Sequence, residues 1–364
     1  MLVKGDNMNL NRNTYAEVNV KNITNNVKKI INYYNNYKYY IGVVKADNYG
    51  HDGIESVSAV INGGCNYLAV ATLDEALKIR NKIKNIPILC LGPIPYEHIN
   101  LCVENEITIT INSLNYLNEI IKQNIKLKKV HIKLNTGMNR LGISNIDELK
   151  KVFNILMKND IQVEGIYTHL YNADNKNIYN KQISLFKSML DCIDISNIKI
   201  IHVSASDGIV NYEKPDFING CRLGIIMYGF TKNKDLNLQS TFSLYSEVIQ
   251  INTLNQGETV GYNGIYEAKE REFIAVVPIG YADGIIRKNT GRNVYINNKK
   301  YQIVGNICMD MLFIKVDESI KLHDKVTILK DIDHIEEVAN YLETIPYEVM
   351  CMVGKRVERK YITK

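Results

Sequence analysis

The feature that most constrains the fold is a regular alternation of short apolar runs with amphipathic segments over the first two-thirds of the chain. Segments of helical periodicity separate most of these runs, as at 73–82, 114–122, 146–157 and 182–192. Eight strand-like runs alternating with helices favour an α/β fold built on a closed (β/α)8 TIM-like barrel. The predicted strands are 39–44, 67–71, 87–91, 107–111, 130–134, 163–168, 198–203 and 223–228. No Gly-x-Gly-x-x-Gly follows the first run, which disfavours an open dinucleotide-binding sheet.

The pattern changes after about residue 235, where short alternating runs are separated by Gly and Asn turns. The predicted strands of this part are 241–251, 272–277, 293–296, 301–304, 312–316 and 325–329. A chain of 364 residues has room for one large and one smaller domain. We therefore expect a barrel domain over 11–238 and a mainly-β domain over 239–364, with residues near 14–19 joining the second.

Composition argues against several functional classes. The net charge of +5 arises from 44 basic and 39 acidic residues dispersed along the chain, so nucleic-acid binding is not expected. The seven cysteines have no Cys-x-x-Cys spacing and the seven histidines are scattered, which predicts neither a disulfide framework nor a metal site. No apolar run is long enough to cross a bilayer. We expect a cytoplasmic protein without membrane contact, or the cytoplasmic domain of a membrane-anchored parent.

Lys45 is the first candidate for chemistry, because it follows the first predicted strand directly. In a barrel, active sites lie at the carboxyl ends of the strands. A lysine that ends an apolar strand is costly unless its amine is paired, exposed or covalently used. Taken alone, a lysine whose stem packs on the surface is the commoner explanation.

The residues around Lys45 resemble the cofactor-attachment motif of the alanine racemases, enzymes that use pyridoxal phosphate (PLP). The resemblance continues in order over nearly the whole chain. Its motifs are 44–51 (Val-Lys-Ala-Asp-Asn-Tyr-Gly-His), 73–76, 133–142 (Lys-Leu-Asn-Thr-Gly-Met-Asn-Arg-Leu-Gly), 167–169, 222–229, 261–262 before Tyr266, 278–284, 308–310 and Arg356. One such motif would be weak evidence, whereas the whole ordered series indicates the family and its arrangement of a PLP-binding barrel followed by a β domain.

The resemblance implies a two-base racemase. Lys45 would hold PLP and act as a base on one face of the substrate, and Tyr262 of a partner subunit would act on the other. The working unit would then be a homodimer with shared active sites. The residues implied to bind the cofactor are Lys45, Tyr49, Arg140, His169, Ser206, Arg222, Gly224 and Ile225. Arg222 would face the ring nitrogen and leave it unprotonated, while Lys133 aligns with a lysine that some members carry carbamylated.

The residues implied to contact the substrate are Arg140, Tyr281, Met309, Asp310 and Lys355. Lys355 departs from the family, since well-known alanine racemases have a tyrosine there and the serine racemase domains of vancomycin-resistance systems also differ at this position. Ala205 departs as well, because many members have Asn before the serine at 206. A donor at Lys355 favours a substrate hydroxyl, so alanine and serine both remain open as substrates. The alternatives are a PLP-barrel amino-acid decarboxylase and a non-catalytic PLP-binding protein.

Overall fold

The computed structural model describes residues 2–4 and 12–363, and within it eight parallel strands form a closed barrel. The last barrel strand pairs with the first, and Arg222 lies opposite Ile41. In chain order the barrel strands are Tyr39–Val43, Tyr67–Val70, Ile88–Cys90, Ile107–Ile111, Lys129–Lys133, Gln162–Tyr167, Ile200–His202 and Gly220–Leu223. Strands such as Ile107–Ile111 are buried along their whole length, as expected of parallel strands covered by helices. The predicted (β/α)8 barrel is confirmed.

The helices of this part of the chain come between the strands or immediately before them. They are Val20–Tyr33, Gly53–Asn62, Leu73–Lys82, Ile99–Glu104, Leu114–Lys122, Ile146–Lys158, Lys176–Leu190 and Ser206–Asn211. The helix predicted over 182–192 begins earlier, at Lys176. Its N-cap is Asn175, whose side chain accepts hydrogen bonds from the backbone of Asn177 and Ile178.

The prediction of a strand over 223–228 is wrong. The strand is Gly220–Leu223, and the apolar residues that follow form a single 3-10 turn, Ile225–Tyr228. All four residues of the turn are buried, and a short, fully buried apolar run has no periodicity that separates strand from helix. Gly229, with φ of 103°, ends the turn in the left-handed region.

The carboxyl-terminal part is rich in sheet, as predicted. One sheet has the strand order Leu2–Lys4, Glu358–Ile362, Tyr15–Asn19, Phe242–Glu247, Lys325–Leu329, Asn293–Ile296, Lys299–Val304, Leu312–Val316, Glu272–Val277 and Gln250–Leu254. Thr259–Val260 and Tyr266–Glu267 form a separate two-stranded ribbon. Alternate residues of Phe242–Glu247 are buried, so one face of that strand packs inward.

The single strand predicted over 241–251 is two strands. Phe242–Glu247 pairs with Tyr15–Asn19 and Lys325–Leu329, whereas Gln250–Leu254 pairs with Glu272–Val277. The chain changes partners between them, which a continuous apolar pattern does not reveal. Two helices of this part, Ile332–Leu342 and Pro346–Cys351, were also absent from the predicted pattern.

The described residues form two compact units. The barrel unit comprises 24–48 and 57–238, and the sheet unit comprises the described residues up to 23, together with 49–56 and 239 onward. None of the helices within 12–363 combines the length and the apolar character needed to span a bilayer.

Candidate active site

Lys45 lies just beyond the carboxyl end of the first barrel strand and is followed by a left-handed turn. Ala46, Asp47, Asn48 and Tyr49 have φ of 53°, 48°, 59° and 56°. Left-handed backbone costs a non-glycine residue about 1–2 kcal/mol, so four in succession need compensating contacts. The Ala46 N–H donates to Oε1 of Glu75 at 2.6 Å, and the Tyr228 hydroxyl donates to the Asn48 side chain.

Glu75 therefore has two tasks. Its Oε2 accepts the backbone N–H groups of Ala71 at 2.8 Å and Thr72 at 3.2 Å, completing the capping box of the helix Leu73–Lys82. Its other oxygen holds the residue next to Lys45. The family resemblance assigned no role to Glu75, although Thr72-x-x-Glu75 is itself the sequence signature of a capping box.

Replacing Glu75 by Ala is expected to destabilise the protein by about 1–3 kcal/mol, because three backbone N–H groups lose their acceptor. Binding of PLP, the cofactor that the sequence resemblance implies, should weaken as well, since the turn after Lys45 loses a restraint. Thermal unfolding and PLP titration measure the two effects. Asp74→Ala, which removes an exposed carboxylate from the same helical turn, is the control and should cost less than about 1 kcal/mol. Equal losses in both variants would contradict this role for Glu75.

Arg222 is buried at the carboxyl end of the last barrel strand and is held by five hydrogen bonds. Nη1 donates to Nδ1 of His202 at 2.8 Å and to its carbonyl oxygen at 3.2 Å. Nη2 donates to Thr168 O at 2.8 Å, Val203 O at 2.7 Å and His169 Nδ1 at 3.1 Å. Within the described residues these bonds use only the two terminal nitrogens, so Nε remains as a donor in a fixed direction.

His169 is neutral in this setting. Burial and the positive charges of Arg222, Arg140, Lys133 and Lys45 lower the pKa of His169 to about 3. Because the Arg222 guanidinium can only donate, Nδ1 of His169 is the acceptor and Nε2 carries the proton. His169 thus offers an N–H donor on the side of the ring away from Arg222.

Four positively charged side chains lower the pKa of His169, namely those of Lys45, Lys133, Arg140 and Arg222. Burial and the positive charges of Arg140, Arg222 and Lys45 lower the pKa of Lys133 to about 8. Lys133 is 6% exposed and its ammonium lies 5.8 Å from the centre of the Tyr167 ring. Concentrated positive charge in a mostly buried site is costly unless anions neutralise it. The carboxyl ends of the barrel strands therefore form an anion site.

Backbone N–H groups lie in the same unit. Ser206 begins the helix Ser206–Asn211, and its Oγ accepts the Ile226 N–H at 3.4 Å. Gly224 precedes the turn Ile225–Tyr228, which has no side-chain cap. The first N–H groups of such a turn suit a phosphate. This arrangement exists because the chain turns after Leu223 instead of continuing as the predicted strand.

The remaining candidates lie in the sheet unit, where hydrogen bonds connect the segments that carry them. Asn306 donates to Tyr262 O at 2.8 Å, and the backbone N–H of Tyr281 donates to Cys308 O at 3.1 Å. Gly354 N donates to Asp283 O at 2.9 Å, and Arg356 Nη2 lies 2.7 Å from Asp310 Oδ1. Four separate segments thus meet within this unit. They present exposed side chains, among them Tyr262 at 70%, Met309 at 53% and Tyr281 at 42%, with Lys355 also exposed.

Tyr49 belongs to the sheet unit as well. It is 7% exposed, and its ring lies 5.9 Å from that of Tyr347. Burial raises the pKa of the Tyr49 hydroxyl well above its usual range, so it stays protonated and can donate a hydrogen bond.

A closed parallel barrel with a lysine, a buried arginine and phosphate-type N–H groups at its carboxyl strand ends defines a barrel enzyme that binds an anionic ligand. Two family models match the chain, the N-terminal domain of alanine racemase over 18–232 and the C-terminal domain over 241–361. The chain belongs to the alanine racemase family of PLP-dependent isomerases.

Individual relatives agree over nearly the full length. Alanine racemase 1 of Bacillus subtilis strain 168 is 33% identical over 96% of this chain and 93% of its own. The alanine racemase of Methanococcus maripaludis is 38% identical over 96% of this chain and 98% of its own. The crystal structure of a Bacillus anthracis alanine racemase with bound L-Ala-P has a TM-score of 0.92 and 33% identity, covering 98% of this chain and 97% of that one.

A Bartonella henselae alanine racemase with covalently bound pyridoxal phosphate has a TM-score of 0.86 at 27% identity, covering 96% of this chain and 99% of that one.

Proposed function

We propose that this protein racemises alanine with PLP. The observation that carries the proposal is the convergence of Lys45, Lys133, Arg140 and Arg222 at the strand ends. These cations suit a phosphorylated cofactor and a substrate carboxylate, and family membership identifies the cofactor as PLP. PLP, when bound, withdraws electrons from the Cα–H bond of an attached amino acid.

The residues present fit this cofactor. Lys45 supplies the amine that attaches it, and Ser206 with the N–H groups of Gly224 and Ile225 suits its phosphate. Tyr49 adds a protonated hydroxyl. The Nε donor of Arg222 suits the ring nitrogen, and an arginine keeps its proton, so that nitrogen stays unprotonated. Arg140 suits the ring hydroxyl and the substrate carboxylate.

Racemisation needs one proton-transfer group on each face of the α-carbon. We assign the Lys45 Nζ to one face and the Tyr262 Oη to the other. The exposure of Tyr262, at 70%, supports its use by a neighbouring subunit. We therefore propose a homodimer in which each site takes Tyr262 from the partner. The Nε2–H of His169 is suited to stabilise a tyrosinate.

The substrate pocket would be completed by Met309, through its backbone N–H, with Asp310 and Tyr281 lining the entrance. We propose that D-alanine made here supplies cell-wall peptides and that the enzyme works in the cytoplasm. We further propose a barrel domain over 11–238 and a β domain over 239–364, with residues near 14–19 in the second.

Racemisation is separated from decarboxylation by a direct measurement. L-Alanine incubated with the protein and PLP should lose its optical rotation without release of carbon dioxide. Release of carbon dioxide would support the decarboxylase alternative. PLP binding without any change in the amino acid would support a non-catalytic role.

Lys355 determines how well serine competes with alanine. Replacing Lys355 by Tyr is expected to lower the ratio of kcat/KM for L-serine over L-alanine by about tenfold, because a donor for the hydroxyl is replaced by a rigid ring. Lys355→Met keeps the length of the side chain but removes the donor, so it should lower the ratio as well. An unchanged ratio in both variants would exclude Lys355 from substrate selection.

The lowered pKa of Lys133 favours carbamylation of its amine. Only a neutral amine reacts with carbon dioxide, and a pKa of about 8 leaves far more neutral amine at neutral pH than an ordinary lysine has. The carbamate would replace the ammonium of Lys133 by a negative charge among the three remaining cations, Lys45, Arg140 and Arg222. Adding bicarbonate should raise the activity of protein prepared without it, whereas Lys133→Met should not respond. Equal responses of the two proteins would contradict the modification.

A further inference from the structure

A line of four buried polar side chains runs through the barrel interior. It consists of Glu164, His131, His202 and Arg222, named here the buried relay. Their exposures are 7%, 0%, 0% and 3%, respectively. Glu164 lies near the amino-terminal end of its strand, and Arg222 near the carboxyl end of its own. Because all barrel strands are parallel, the relay connects the two ends of the barrel.

The contacts along the buried relay fix where each proton lies. Arg222 Nη1 donates to His202 Nδ1 at 2.8 Å, so that nitrogen is unprotonated and His202 carries its proton on Nε2. His202 Nε2 lies 3.0 Å from His131 Nδ1, which must therefore accept. His131 carries its own proton on Nε2, which faces the Glu164 Oε2 at 3.6 Å, longer than a direct hydrogen bond but favourable in charge.

Both histidines are neutral, which the assignment requires. Burial lowers the pKa of His202 well below its usual range, and the charge of Arg222 adds to the effect. Burial also lowers the pKa of His131, although Glu164 opposes this. A neutral histidine has one donor and one acceptor nitrogen. For each of the two rings, only the tautomer protonated on Nε2 suits the groups on both sides.

Glu164 stays ionised at its end of the buried relay. Burial favours the neutral acid, but contacts with His131, Lys129 and Tyr67 lower the pKa of Glu164 to about 2. Lys129 Nζ lies 2.7 Å from Oε1, and the Tyr67 hydroxyl donates to Oε2 at 2.8 Å. A carboxylate can only accept, just as the guanidinium at the other end can only donate.

The surrounding residues leave little freedom to the two rings. The Tyr167 ring stacks on His202 with centroids 4.6 Å apart and an angle of 15°. A Cβ at Gly165 would come within 2.4 Å of the His131 ring, so only glycine fits there. The site is thus built to hold these histidines in place.

We propose that Glu164, His131 and His202 are positioning residues that hold Arg222 in one donor arrangement at the carboxyl end of the barrel. The consequence for the cofactor rests on the proposed function, because there Arg222 faces the PLP ring nitrogen. The proton assignment itself depends only on this chain. Glu164 thus acts on the anion site from the opposite end of the barrel without touching any ligand.

The wild-type protein gives the first test. Nitrogen-15 NMR of the histidine rings, with His131 and His202 assigned from His131→Gln and His202→Gln spectra, should show both rings neutral and protonated on Nε2. This holds for the full chain with PLP and without it. A doubly protonated ring, or a proton on Nδ1 of either residue, would overturn the proposal.

Glu164→Gln gives the second test. Lys129 can only donate, so it selects the amide oxygen, and the amide NH₂ then faces His131 Nε2. Arg222 still only donates, so both histidines keep their protons on Nε2 and the amide NH₂ meets the His131 Nε2–H, donor against donor. The spectra should therefore show a shifted His131 Nε2–H signal, because that group loses its acceptor. PLP binding should weaken about tenfold, with an altered absorbance of the bound cofactor.

Lys129→Gln is the matched control, because it removes a charge at the same end of the barrel and leaves the Glu164 carboxylate in place. It should keep both tautomers and the absorbance of the wild type. An unchanged His131 Nε2–H signal in Glu164→Gln, or the same shift in Lys129→Gln, would refute the relay. If the protein shows no PLP absorbance that depends on Lys45, the proposed function fails. The NMR spectra would still show whether the protons of the buried relay lie where proposed.

Discussion

Lys45→Ala is expected to lose covalently bound PLP and to lower the racemisation rate by about 10⁵, a loss typical of removing a covalent catalytic group. Under the proposed mechanism, the variant lacks both the amine that attaches the cofactor and the base on one face of the substrate. The amine of Lys133 extends from a different strand, Lys129–Lys133, so it is not expected to substitute. Absorbance of the dialysed protein and optical rotation of alanine measure the two losses.

Lys78→Ala is a matched control for Lys45→Ala. Lys78 is an exposed lysine whose Nζ lies 3.2 Å from Asp47 Oδ1, in the turn that follows Lys45. An exposed ion pair contributes about 0–1 kcal/mol, so activity should stay within about twofold of the wild type. Retention of borohydride-reducible PLP by Lys45→Ala would show that another amine attaches the cofactor.

Tyr262→Phe is expected to lower racemisation by about 10³–10⁴ while PLP still binds, because only one of the two proposed proton-transfer groups is lost. With the Lys45 amine intact, one enantiomer of alanine should still exchange its α-proton with deuterated water without inversion. Tyr266→Phe removes a hydroxyl that donates to Glu272 in the same region of the chain. It should cost about 1 kcal/mol of stability and leave turnover nearly unchanged.

The proposed shared site allows a sharper test. Lys45→Ala and Tyr262→Phe are each expected to be nearly inactive, but in a mixed dimer one site would receive Lys45 and Tyr262 from different subunits. Equal mixing makes half of the dimers mixed, with one intact site of two, so about a quarter of the wild-type activity should return. A mixture that exchanges subunits and stays inactive would show that both groups come from one chain.

Local pattern determined much of the fold. The strand Ile107–Ile111 and the helices Leu73–Lys82 and Leu114–Lys122 have the predicted bounds, because their periodicity and flanking residues are local signals. The prediction failed at 223–228 and 241–251. In the first case burial removes periodicity, and in the second the strand changes its partner.

The sequence by itself determined the family, the barrel and the identity of the candidate residues, because motifs in a fixed order can be recognised without knowing which residues are in contact. Only the tertiary structure decided the electrostatics of the site. The neutral state of His169, the lowered pKa of Lys133 and the tautomers of the buried relay arise from burial and from charges brought together by distant segments. Desolvation and Coulomb interactions depend on distance in space and not along the chain. The same holds for Glu75, whose contact with Ala46 spans 29 positions in the sequence.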